Sequence, residues 1–271
     1  MRRLIVHLGV QKTGSTAIQR FLRQNADALA PLLIVRTPEE GTPMRPLGRA
    51  AVTYSLRPSS DSAKALQIAL EDALQTLPDN DLPVLLSHEN LAGAMPGNGG
   101  ETRLYPALPD IAALIAKTAS GMTVDFVVYS RNMKIWKESV WAQAVRTDGY
   151  PRKQVAFMSE IADMPGWGDL LSRLSNAVGS DRVTRFKLED ETCPRHPGRQ
   201  LLRHAGLSDG QIDALSPLEG ASMQRLSASS TEFLRRLNGL SLNPHARGKV
   251  AELVARTQPL FAADRPHDRT P

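Results

Sequence analysis

The chain predicts an α/β fold of three layers, with a central, mostly parallel sheet flanked by helices. Short β-rich runs alternate with longer stretches of helical period, the pattern of strands joined by crossover helices. The runs at 4–9 and 83–87 are mostly apolar, as buried strands are. With 271 residues the chain can bury one large core. No linker divides it, so residues 1–262 are expected to form a single α/β domain, with 263–271 a disordered tail.

In chain order, residues 4–9 end in Gly9 and predict the first strand. Residues 15–29 carry Ile18, Phe21, Leu22, Ala26 and Leu29 at helical spacing, and 32–35 predict a second strand. Residues 37–60, rich in Pro, Gly, Ser and Arg, predict a long loop. An amphipathic helix follows over 62–77, closed by Pro78-Asp79-Asn80. The strand at 83–87 leads to a short helix and then to a glycine-rich loop, 95–102, expected to be mobile. Residues 111–118 predict a helix, 123–130 the clearest strand, and 134–146 a helix stopped by Gly149 and Pro151. Helical patterns at 155–161 and 170–178, a strand at 182–188 and small helices over 200–260 complete the chain.

Composition narrows the function classes. Hydrophobic residues at 41% and charged residues at 23% are ordinary for a globular chain. A single cysteine, Cys193, excludes a disulfide framework and a cysteine-rich zinc site. No run of 18 apolar residues exists, so no transmembrane segment is expected. The first residues are basic and then apolar, but Gln11 and Lys12 cut the run short. They read as a strand and not as a secretory signal, which makes the cytoplasm the expected compartment. Lys and Arg number 33 against 28 Asp and Glu, a formal +5 that suits an anionic ligand. The basic residues form no blocks and aromatics are only 5%, so a small anion fits better than nucleic acid.

The segment Gly9-Val10-Gln11-Lys12-Thr13-Gly14-Ser15-Thr16 lies between a strand and a helix. There, backbone N–H groups and the helix dipole form an anion site. Against the nucleoside-triphosphate loop G-x-x-x-x-G-K-[ST], Gly9, Gly14 and Thr16 are in place, but Ser15 occupies the lysine position. The loop is P-loop-like, with its cation moved to Lys12.

These residues resemble the phosphosulfate-binding loop of sulfotransferases that use 3′-phosphoadenosine-5′-phosphosulfate (PAPS). A second segment is similar to the same family: Arg131 at a strand end, with Ser139 eight residues on in the next helix. The resemblance implies that Lys12, Thr13, Gly14, Ser15 and Thr16 hold the 5′-phosphosulfate, and Arg131 and Ser139 the 3′-phosphate. It is closest to divergent bacterial members, in which Gln143 and Gly149 follow the serine. Met133 stands where the family often has proline, and Arg247-Gly248-Lys249 lacks the second glycine of the family's late loop. Detailed similarity covers residues 4–22 and 125–149.

The resemblance implies a sulfotransferase with PAPS as donor substrate and no metal requirement, with Lys12 as the catalytic cation. The acceptor, a carbohydrate, lipid or small metabolite, is open. The base is expected at the end of the 83–87 strand, where His88 and Glu89 are the candidates and Glu89 is favoured. The alternative for this segment is a helix cap supplied by Ser87, with Glu89 in the first turn. His7 reads as a core histidine, and Trp136 and Trp141 as core or groove residues. His196, His204, His245 and His267 read as solvated, and Cys193 as structural with no base beside it. Rival readings are a P-loop kinase or nucleotide-binding protein, which needs a lysine beside Gly14, and a non-catalytic anion-binding module.

Overall fold

A computed structural model describes residues 1–219, 226–241 and 243–261. The predicted tail, 263–271, lies outside the described residues. Five parallel strands form one sheet: β1 (Arg3–His7), β2 (Ile34–Arg36), β3 (Val84–Ser87), β4 (Thr123–Ser130) and β5 (Val183–Lys187), in the order β2-β3-β1-β4-β5. In register, Ile5 of β1 lies between Leu85 of β3 and Asp125 of β4. The helices are α1 (Ser15–Gln24), α2 (Ala26–Leu29), α3 (Met44–Leu56), α4 (Ser60–Gln75), α5 (Leu108–Thr118), α6 (Met133–Gln143), α7 (Gln154–Glu160), α8 (Trp167–Val178), α9 (Arg199–His204), α10 (Asp209–Asp213), α11 (Ala228–Leu237) and α12 (Pro244–Arg256).

Strand alternation assigns the two faces. Leu4, Val6, Val84, Leu86, Phe126 and Val128 pack with α3, α4, α5 and α8. Ile5, Leu85, Val127 and Tyr129 pack with Ile18, Phe21 and Leu22 of α1 and with Leu201 and Leu202 of α9. Each such buried side chain contributes ~1.5–3 kcal/mol by leaving water. A small satellite core joins Leu234 of α11 and Ala251 and Val254 of α12 to Val145, just beyond α6.

The expected fold class holds, but three elements differ from the sequence expectations. The region 37–60 is not one loop, because α3 occupies most of it. Pro46 sits in the first turn, where no donor is required, and Met44, Leu47, Gly48 and Ala51 form a buried stripe. The helix expected over 15–29 breaks at Asn25. This buried side chain donates to the Phe21 carbonyl at 3.0 Å and accepts the Ser216 N–H at 2.7 Å, tying α1 to a distant segment. The helix expected over 134–146 ends at Gln143 and continues as a wide π-type turn, Ala144–Asp148, stopped by Gly149 in the left-handed conformation. Among the described residues, no helix is long and apolar enough to cross a membrane.

Topology locates the site. From β1 the chain crosses toward β2 on one side of the sheet, and from β4 toward β5 on the other. Ligands of open α/β sheets bind where such connections part, at the carboxyl ends of the strands. Here that crevice lies between β1 and β4.

Candidate functional site

The loop after β1 is shaped by its own residues. Gly9 (φ +41°) passes so close to the end of β3 that a Cβ would lie 2.6 Å from the Glu89 Cα. Lys12 (φ +69°) and Gly14 (φ +90°) take left-handed conformations that turn the chain into α1. The Val10 carbonyl accepts the Thr13 hydroxyl at 2.6 Å and the Ser15 hydroxyl at 3.2 Å. Helix α1 begins without a side-chain cap or an acid in its first turn. Its leading N–H groups and positive dipole end are thus directed at the crevice.

The loop after β4 is stitched to this one. Arg131 donates from Nη1 to the Ser139 hydroxyl at 3.2 Å and to the Lys12 carbonyl at 3.4 Å. The Trp136 indole donates to the Gln11 carbonyl at 2.9 Å, and the Trp167 indole to the Arg131 carbonyl at 2.6 Å. Both rings are buried and meet edge to face at 5.0 Å, so they are core, as expected for Trp136. Lys12 reaches across with Nζ 3.4 Å from Gln143 Oε1.

The two loops enclose a cavity of about 550 Å³. Lys12, Gly14, Ser15, Thr16, Glu89 and Arg131 line it, so six of the predicted positions converge there. Three others do not face it. Thr13 is fully buried and holds the loop together through Val10. Ser139 is buried behind Arg131 and acts on that guanidinium. His88 points the other way.

His88 caps the turn Glu89–Ala92, its Nδ1 accepting the Asn90 N–H at 3.1 Å. Its ring packs on α3, where a Cβ at Gly48 would come within 2.1 Å of it. Burial pushes its pKa down. The expectation of His88 as a base in the crevice is therefore corrected: successive residues leaving β3 point to opposite sides, and only Glu89 reaches the cavity. Glu89 Oε2 is buried and has no hydrogen-bond partner among the described residues. A helix cap is present, but His88 supplies it.

Asn98, from the glycine-rich loop noted in the sequence, also lines the cavity, as do Thr147 and Asp148, which nothing in the sequence marked. They arrive through the glycine-rich loop and the π-type turn, whose paths depend on tertiary contacts. Burial pushes the Asp148 pKa up, while the Thr147 hydroxyl and Arg247 pull it down.

Elsewhere, His7 is a core histidine as expected. Its Nδ1 lies 2.8 Å from the Ser87 hydroxyl, and burial pushes its pKa down to about 4. The reading of His196 and His204 as solvated does not hold. His196 Nδ1 lies 3.4 Å from Cys193 Sγ, a neighbour that lowers the thiol pKa, and His204 packs against Arg3. The i, i+3 spacing of Cys193 and His196 was the available signal. Among the described residues, no cluster of three or more His, Cys, Asp or Glu side chains could hold a metal ion.

Comparison with protein-family models, curated proteins and solved structures returns no match to this chain. The functional reading rests on the chemistry of the crevice.

Proposed function

We propose that this chain is a sulfotransferase that moves a sulfuryl group from PAPS to a hydroxyl or amine acceptor. The observation that carries the reading is the meeting of two distant segments on one cavity. The glycine loop, with Lys12, and Arg131, braced by Ser139, share it. A cradle of N–H groups suits the 5′-phosphosulfate, and a guanidinium suits a separate phosphate. The kinase reading needs a lysine beside Gly14; Ser15 is there, with its hydroxyl turned to the Val10 carbonyl.

The chain's residues divide the reaction between them. Glu89 takes the proton of the acceptor O–H or N–H. The acceptor oxygen or nitrogen then bonds to sulfur as the bond from sulfur to the bridging oxygen breaks. The electron pair leaves on the 5′-phosphate of 3′-phosphoadenosine-5′-phosphate (PAP). Lys12 stabilises the negative charge growing on that bridging oxygen. Arg131 and the start of α1 hold the nucleotide still while this happens.

Thermal unfolding with nucleotide tests the donor class. A ligand bound to the folded state at ~100 times its dissociation constant adds ~2.7 kcal/mol. PAP should raise the midpoint by several degrees, equally with and without excess chelator. ATP with Mg²⁺ should do so weakly. The reverse order would replace this reading with the kinase one.

A further inference from the structure

Beyond the donor loop, the cavity wall has a distinct chemical character. Asn90, Asn98, Gln143, Thr147 and Asp148 line it together with Glu89. Amides both donate and accept, and carboxylates accept, which matches hydroxyl groups that do both. The apolar lining residues are Ala17, Met95 and Leu188, and no described residue lining the cavity is aromatic. A flat phenol or a long alkyl chain would find no apolar slot of its own here.

The turn that carries Thr147 and Asp148 is held in place from two sides. On one side a polar chain runs from the donor loop: Lys12 Nζ to Gln143 Oε1 at 3.4 Å, Gln143 Nε2 to the Thr147 hydroxyl at 3.4 Å, and that hydroxyl to Asp148 Oδ2 at 3.0 Å. On the other side Arg247 of α12 donates to the Thr147 carbonyl at 2.6 Å. Gly149, at φ +75°, lets the chain leave beside that guanidinium, where a Cβ would lie 3.4 Å from its central carbon. A continuation of α6 at 3.6 residues per turn would set these side chains at a different angle about the helix axis. The wide turn is what brings both of them to the cavity, as such turns do at other functional sites.

Resting on the sulfotransferase reading, we infer that the acceptor is a polyhydroxylated, sugar-like molecule. The turn carrying Thr147 and Asp148 holds it against Glu89. Asp148 accepts hydrogen bonds from acceptor hydroxyls, and Arg247 is a positioning residue that fixes the turn.

The test uses the full chain saturated with PAP, with PAP binding measured first. Saturation-transfer NMR then follows three separate probes. These are a panel of neutral di- and trisaccharides of glucose, galactose, mannose and N-acetylglucosamine; 4-nitrophenol; and n-hexylamine. At least one saccharide should bind, and Asp148→Asn should weaken it about tenfold or more, the loss of one charge-assisted hydrogen bond. PAP affinity should stay within about twofold. Arg247→Ala should weaken the saccharide similarly, and Arg247→Lys, which still offers a donor to the Thr147 carbonyl, should restore part of it. Silence of every saccharide, with or without binding of the phenol or the amine, overturns the inference. So does an unchanged affinity in Asp148→Asn. Failure of PAP itself to bind sinks the donor reading, and the acceptor inference falls with it.

Discussion

The guanidinium of Arg131 is held by a hydroxyl on one side and a loop carbonyl on the other, at 3.2 and 3.4 Å. Both bonds leave from Nη1, and the residue lines the cavity. Removing it should cost ~1.5–3 kcal/mol of nucleotide binding, roughly 10- to 150-fold. Arg131→Ala should therefore lose affinity for PAP but hardly for adenosine 5′-phosphate, as read by calorimetry. Retention of the preference for PAP would place the 3′-phosphate elsewhere. Glu89 is a different kind of residue, with a buried oxygen that lacks a partner among the described residues. Glu89→Gln keeps the shape and removes the proton acceptor. Turnover of an identified acceptor should fall 10²–10⁴-fold with PAP affinity unchanged. Normal turnover would assign proton removal to another group. At this scale the sequence showed residue types well and directions poorly. Gly9, Lys12, Gly14 and Arg131 were legible because a loop between strand and helix leaves little choice of geometry. The fate of His88 was not, since one peptide step decides between the cavity and α3.

The elements around the crevice depend on close packing between α3 and the end of β3. Gly48 leaves room for the buried His88 ring, and His88 in turn caps the turn that begins with Glu89. A methyl at position 48 would lie 2.1 Å from ring atoms, so ring or helix must move. Gly48→Ala should destabilise the protein by ~1–3 kcal/mol in urea unfolding, the usual cost of overpacking. The double variant Gly48→Ala, His88→Ala should lose less than the two single changes added together, because the methyl then fills space that the ring vacates. Strict additivity would show that the two residues do not share that space. The same contact explains why α3 was hard to see. Its Pro, Gly and Arg residues read locally as a loop, whereas burial of Met44, Leu47 and Ala51 against the sheet decides the outcome. β1, β3 and β4 needed no such help, because strands buried on both faces announce themselves as apolar runs. The break at Asn25 and the turn at Ala144–Asp148 both hinge on partners far away in the chain, Ser216 and Arg247. Periodicity carries no information about either.

Across the whole molecule, the sheet order places its central strand, β1, between β3 and β4, and so puts His7 in the interior with no exposed surface. His7 is fully buried between the Ser87 hydroxyl and the edge-on ring of Tyr129, and no carboxylate among the described residues is hydrogen-bonded to it. Its pKa falls from 6.5 to about 4 because the charged form has lost its water. Between these values the unfolded chain binds a proton that the folded chain does not, so stability falls as pH falls. The contribution is fully present above pH 6.5 and is lost progressively toward pH 4. Between pH 7.5 and pH 5 the loss amounts to about 2 kcal/mol. His88, also pushed down by burial, acts in the same direction, so the wild-type loss should exceed the His7 share. Comparison with His7→Gln isolates that share, since glutamine can still meet Ser87 but does not titrate. Urea unfolding at pH 7.5 and 5.0 should show the variant less stable at the higher pH but losing about 2 kcal/mol less between the two. An equal loss in both proteins would mean that His7 takes up its proton in the folded state, and that the interior beside the glycine loop admits water.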